Sequence, residues 1–155
     1  MNRNEAAEGT QLDWIKEKYL GKMVTDSRSD AGNWLQLTLE HIEKGTATIS
    51  LILRKEMTNP YGMIHGGMMS LVMDETIGWA IVSLDADHHY TSLNLNVDFL
   101  YAIKEGDRLT STAKIVRHGK KIIYAECSVY DSKGNLAGRG ASNLVVTGMK
   151  LKSGE

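Results

Sequence analysis

Apolar and polar residues alternate with period two along most of this chain, and one central segment breaks the pattern. Leu35, Leu37 and Leu39 are separated by polar partners; after a Glu43-Lys44-Gly45 turn so are Ala47, Ile49, Leu51 and Leu53. Successive strand side chains point to opposite faces, so the pair reads as an antiparallel hairpin with one buried face. Four further strands are expected beyond residue 90. Leu93, Leu95, Val97 and Phe99 mark the first, and Leu109, Ala113 and Ile115 the second. Ile123, Ala125, Cys127 and Val129 follow a His118-Gly119-Lys120 turn, and Leu136 to Val146 follow an Asp131-Ser132-Lys133-Gly134 turn. Residues 10–20 instead carry Leu12, Ile15, Tyr19 and Leu20 at helical spacing, with Lys16 and Lys18 outward, which predicts a short amphipathic helix. Residues 149–155 are polar and expected to fray.

The exception runs from Gly67 to Leu84. Met68, Met69, Leu71, Val72, Met73, Ile77, Trp79, Ala80, Ile81, Val82 and Leu84 leave almost no polar face, so a helix here is expected to be buried on all sides. The last four strands have no helical crossovers between them, which disfavours a parallel sheet. The order predicts one α+β domain over residues 1–155, with its core at about 35–146 and an antiparallel sheet wrapped around the long helix.

Composition narrows the class of partner. A net charge of −1 gives no basic excess for nucleic acid. Cys127 is the only cysteine, so neither an internal disulfide nor a cysteine-based zinc cluster can form. No uncharged stretch approaches the ~20 apolar residues of a membrane span, and Met1 to Asp13 lack the basic-then-apolar order of a signal peptide. A cytoplasmic protein without metal or cofactor is expected. His88-His89, beside Asp85 and Asp87, reads as an acidic surface loop rather than a metal site.

Packing does not explain one feature. Asp74 and Glu75 are the only charged residues between His65 and Asp85, and ionised carboxylates on an apolar helix demand partners or water. Helix neighbours are ~100° apart, so the two cannot point the same way. Upstream, the Asn59-Pro60-Tyr61-Gly62 turn leads into His65-Gly66-Gly67 at the helix start. Glycines there let a ligand approach backbone closely, and first-turn N–H groups favour developing negative charge. These are the ingredients of an oxyanion site.

Asn59 through Gly67, then Ser70 to Asp74 and Gly78-Trp79-Ala80, resemble the hotdog-fold thioesterases of the phenylacetate-pathway (PaaI) type. The likeness runs from about Leu35 to Val146 and includes Thr91 to Leu100, the Gly106-Asp107 turn, Arg117 to Lys121 and Gly138 to Ala141. It implies an acyl-CoA thioesterase in which the Gly66 N–H polarises the thioester carbonyl. Asp74 would act as general base or as nucleophile. Asn59 would orient carbonyl or water, Ser92 would hold water against Asp74, and His65 would contact the sulfur or brace the loop. The resemblance also places Gly67, Arg117, His118, Gly119 and Lys120 against the substrate's CoA and acyl parts, and Gly138 to Ala141 beside the ligand channel. Glu75 does not match the family position and is expected to be a partner or interface residue. An open sheet edge and the shared-site habit of the family imply a homodimer, and a homotetramer made from two of them. Two rival readings use the same fold: a non-catalytic acyl-CoA sensor, and a hydratase or dehydratase.

Overall fold

A computed structural model describes residues 9–150. It contains helices α1 (Gln11–Tyr19), α2 (Asp30–Leu35) and α3 (Gly66–Val82). The strands are β1 (Thr38–Glu43), β2 (Thr46–Ile52), β3 (His88–Ser92), β4 (Asn96–Phe99), β5 (Arg108–His118), β6 (Ile122–Tyr130) and β7 (Leu136–Lys150). The sheet is antiparallel throughout, in the order β1-β2-β5-β6-β7-β3, with β4 also paired to β7. It curves around α3, the hotdog arrangement implied by the resemblance. No helix among the described residues is long and apolar enough to cross a membrane. The polar N-terminal stretch through Glu8 and the expected frayed tail beyond Lys150 lie outside the described residues.

Three local expectations change. Leu35 closes α2, a helix that Ser29 caps by accepting from the Gly32 N–H at 3.0 Å. Gln36 then turns left-handed (φ 54°), and β1 starts only at Thr38. The Ser29-Asp30 pair is a helix-start signal that the Leu35-Leu37-Leu39 alternation masks. The strand expected at 93–99 begins only at Asn96, because residues 93–95 lie between β3 and β4 and outside both. Asn94 Oδ1 accepts from the Asn143 N–H at 2.9 Å, and the Ser142 hydroxyl donates to the Asn94 carbonyl at 2.8 Å. Finally, His88 and His89 belong to β3 rather than a loop; their pairing carries β7 on to Lys150.

The helix α3 is buried on one side only. Met69, Val72, Met73, Thr76, Ile77 and Ala80 face the sheet, whereas Asp74, Gly78 and Val82 are exposed. Helical positions four apart share a face, so these three form an open stripe where burial all round was expected. The depth of α3 is set by missing side chains on β7. A Cβ on Gly138 would stand 2.9 Å from Met73 Cε and closer still to Met69 Sδ; one on Gly140 would stand 2.7 Å from Met73 Sδ. Gly138 and Gly140 therefore serve helix packing and lie beneath methionines.

Two buried polar contacts fix α3 further. The Thr76 hydroxyl donates to the Val72 carbonyl (2.6 Å) and meets Ser111 Oγ (2.7 Å), which meets Cys127 Sγ (3.2 Å). Burial pushes the Cys127 thiol up to about 11, so it is a neutral core group. At the other end, Ser83 Oγ donates to the Ala80 carbonyl (2.7 Å) and accepts from the Gly45 N–H (2.8 Å), tying the β1–β2 turn to the helix. Overpacking at the methionine contact is the direct check on this arrangement. Gly138→Ala is expected to destabilise the fold by about 1 kcal/mol, the low end for overpacking, because the thioether ends of Met69 and Met73 can partly turn aside. Urea unfolding measures it, and an unchanged midpoint would refute the close contact.

Candidate active site

His65 is the N-cap of α3. Its Nδ1 accepts from the Gly67 N–H at 2.9 Å, and its carbonyl accepts from the N–H groups of Met68 (2.9 Å) and Met69 (3.0 Å). A ring that accepts at Nδ1 carries its proton on Nε2, on the solvent side of an exposed residue. Gly67 leaves room for that ring, since a Cβ there would lie 3.1 Å from Nδ1. Three of the four first-turn donors are therefore satisfied by one residue. The fourth, the Gly66 N–H, has no acceptor among the described residues.

An aromatic ring lies against the side of Gly66 where a side chain would stand. A Cβ on Gly66 would approach Phe99 Cζ to 3.1 Å, so glycine is what lets Phe99 of β4 lie across the helix start. Phe99 itself is 60% exposed. Sequence patterning placed Phe99 on a strand but did not bring it to the site, because only the β4–β7 register aligns it with the helix N-terminus.

Asn59 builds the loop before the helix. Its Oδ1 accepts from the N–H groups of Tyr61 (2.9 Å) and Met63 (3.2 Å), and its own N–H donates to the Met63 carbonyl (2.7 Å). This Asx turn is anchored by the Ile64 N–H on the Ile103 carbonyl at 2.8 Å. The Asn59 Nδ2 has no partner among the described residues.

Further along α3, Asp74 Oδ1 accepts from Ser92 Oγ of β3 at 3.3 Å, on the open stripe. Ser92 and Asp74 are thus brought together. Gly66 and Asp74 are not. Eight helical residues separate them, a rise of ~12 Å, which no side-chain reorientation within one chain closes.

Glu75 points elsewhere. Its Oε1 accepts from the Ser29 hydroxyl at 2.5 Å, and its Oε2 occupies the space a Cβ on Gly32 would need. Burial raises its pKa above the ordinary glutamate value; the Ser29 bond opposes this and the neighbouring Asp74 charge adds to it. Glu75 is a partner residue, as expected, but its partner is α2 of its own chain. Sequence reasoning missed this contact because α2 was unseen.

The basic turn lies at the far end of the sheet. Arg117, His118 and Lys120 are exposed, and His118 Nε2 lies 3.5 Å from the hydroxyl of Tyr90 on β3. Gly119 is required by the turn, since a Cβ there would meet the Ile122 carbonyl oxygen at 2.7 Å. Through Tyr90 this turn neighbours the Ser92–Asp74 end of the site, not Gly66. A groove of about 630 Å³ also reaches Asp74 and Ser92, running along α3 between α1 and β3.

Comparison with known proteins identifies the family. Residues 61–137, which span the Asn59 turn's end, α3 and the strands through β6, match the family model described as the thioesterase superfamily. A putative esterase of Sulfurisphaera tokodaii is 30% identical over 126 residues, covering 81% of this chain and 92% of that protein. Human acyl-coenzyme A thioesterase 13 is 22% identical, covering 84% and 89%. The E. coli PaaI protein of the phenylacetic acid degradation operon shares the fold, with a TM-score of 0.75 at 18% identity, over 81% of this chain and 89% of that one. These likenesses establish that the chain belongs to the thioesterase superfamily and is a thioester hydrolase of hotdog fold.

Proposed function

We propose that the chain hydrolyses acyl-CoA thioesters at a site completed by two copies of itself. The observation that carries this reading is the separation on α3 of two unfinished halves: a free Gly66 N–H, and ~12 Å along the same helix an exposed Asp74 held by Ser92. One carbonyl cannot meet both in a single chain. It can if a second subunit brings its Asp74 to the first subunit's Gly66. Apolar side chains left open support such pairing: Tyr61, Phe99, Leu100 and Tyr101 in the segments flanking the Gly66 end, and Leu93 next to Ser92, are all more than half exposed. The β3 and β4 side of the sheet is also an open edge. The name of the human relative supports CoA as the thiol part.

In this mechanism the thioester oxygen accepts from the Gly66 N–H at the positive end of the helix. Water held between Asp74 and Ser92 attacks the carbonyl carbon as its proton passes to the Asp74 carboxylate. The tetrahedral oxyanion then collapses, the C–S bond breaks, and the thiolate recovers that proton as free CoA. The route through a mixed anhydride with Asp74 gives the same products in two displacements. His65 braces the helix start with Nδ1 and presents Nε2–H as a donor to the leaving sulfur. The unpaired Asn59 Nδ2 orients the carbonyl or the water. Arg117, His118, Gly119 and Lys120 form the basic turn that meets the CoA phosphates, and Gly67 lines the thioester beside Gly66. The assembly is a homodimer, with a homotetramer made of two such pairs.

The test is thiol release from acyl-CoAs by wild type, Asp74→Asn and Glu75→Gln. Asp74→Asn is expected to lose about 10²–10⁴ in kcat, while Glu75→Gln retains turnover. A dead Glu75→Gln with an active Asp74→Asn would reverse the assignment; no hydrolysis by wild type would favour the sensor reading.

Glu75 also makes a prediction about stability. Its folded pKa is raised, so its ionised form is penalised in the folded state. The stability is whole below the unfolded value near 4.5 and declines as pH rises through the folded value. Glu75→Gln removes that penalty. Its Tm should match wild type at acid pH and exceed it increasingly toward neutrality; a constant difference would overturn this account. Sedimentation should show a dimer or larger, and a stable, active monomer would refute the shared site.

A further inference from the structure

The groove beside Asp74 is built by the chain's own elements, and its floor has an unexplained gap. Asp74, Gly78 and Val82 follow one another along the open stripe of α3 and line it. One wall is β3, with Tyr90 and Ser92. The opposite wall is α1, where Tyr19 packs edge-on to Trp79 (5.4 Å, 72°) and Trp14 edge-on to Tyr19 (5.9 Å, 87°).

Gly78 is the anomaly. A glycine in a helix interior costs about 1 kcal/mol relative to alanine. At Gly138 and Gly140 a methionine explains the missing side chain, but a Cβ on Gly78 would meet nothing within 4 Å. No neighbour within the chain requires glycine there. What it does is keep the groove floor flat for one helical turn beyond Asp74.

We propose that the groove seats the acyl chain of the substrate, with Gly78 as the residue that admits chains of roughly eight to ten carbons. This rests on the thioesterase reading above and assigns the acyl class that reading leaves open. The groove begins at Asp74 and Ser92, where the thioester carbon is attacked, so the substituent on that carbon is what enters it. From Asp74 to Gly78 is ~6 Å along the helix and to Val82 ~12 Å. A zigzag C–C chain advances about 1.25 Å per bond, so Gly78 lies under about the fifth carbon and Val82 under about the tenth. The α3 side of the groove suits a hydrocarbon, since Gly78, Trp79, Ile81 and Val82 offer no charge; the polar lining comes from other elements, with Lys18 held by Asp26 at 3.0 Å and Arg28, His88 and His89 on the remaining sides. Glu75, turned away to Ser29, closes the side next to α2 without crossing the floor.

The experiment measures kcat/KM on straight-chain acyl-CoAs from four to fourteen carbons for wild type, Gly78→Leu and Val82→Phe, with sedimentation of each. Wild-type values are expected to peak at eight to ten carbons. Gly78→Leu places a branched side chain under the fifth carbon and should lower the decanoyl-to-butyryl ratio at least about tenfold, the order of discrimination an apolar pocket supplies. Val82→Phe should lower the tetradecanoyl-to-octanoyl ratio while changing the octanoyl-to-butyryl ratio less. If Gly78→Leu does not fold, the Val82→Phe ratios decide alone. Unaltered ratios with active wild type overturn the inference by itself. Loss at every chain length together with a changed sedimentation coefficient also overturns it, because the stripe is then a subunit contact. Absence of wild-type turnover on every acyl-CoA overturns the reaction assigned above and this inference with it.

Discussion

The seating of Met69 and Met73 on Gly138 and Gly140 governs the rest of the structure. Interiors are packed to crystal density, so a helix can approach a sheet only as closely as the facing side chains allow. Two glycines on β7 bring α3 nearly onto the backbone. The same strand pairs Gly138 with Phe99 and Gly140 with Val97, and four residues further on pairs Leu144 with Ser92. One register thus carries both Phe99 to the helix N-terminus and Ser92 to the middle of the helix. Displacing α3 by the width of a methyl group would disturb both halves of the site at once.

That seating also explains why one helix can be apolar in composition and yet carry two carboxylates. The sheet buries one side of α3, and the chain leaves the other partly open. Asp74 lies on the open stripe, exposed, where its charge is solvated. Glu75 is rotated ~100° from it and half-buried, and it answers desolvation by accepting from Ser29. The enclosed polar groups on α3 and against it, Thr76, Ser83 and Ser111, are each hydrogen-bonded. Polar chemistry on this helix is sorted by how much water each face retains.

The helix N-terminus shows a similar division of labour. His65, singled out for chemistry by its place before two glycines, is occupied at Nδ1 in capping the helix, which leaves only Nε2–H to face a substrate. By taking up the neighbouring donors it leaves the Gly66 N–H as the single free one in the first turn. Asn59 is similar, its Oδ1 spent on the turn that presents His65 and its Nδ2 left over. Backbone presentation, rather than side-chain reactivity, is what this loop is built for.

Much of this was legible from residue order alone. Period-two alternation marked the hairpins, an uninterrupted apolar run marked α3, and two adjacent carboxylates within it marked the place where packing could not be the whole account. Those signals are local, and local patterning survives folding. What required the tertiary structure was everything decided by register and contact between distant segments. Phe99 reaches Gly66, Ser29 reaches Glu75, and the glycines of β7 prove to be seats for methionines. The ~12 Å between Gly66 and Asp74 was implicit in the helix all along, but only a structure with α3 capped, straight and open along one face shows that a single chain leaves the two halves apart. Spacing along a helix is written in the sequence; which face the sheet leaves uncovered is settled by packing.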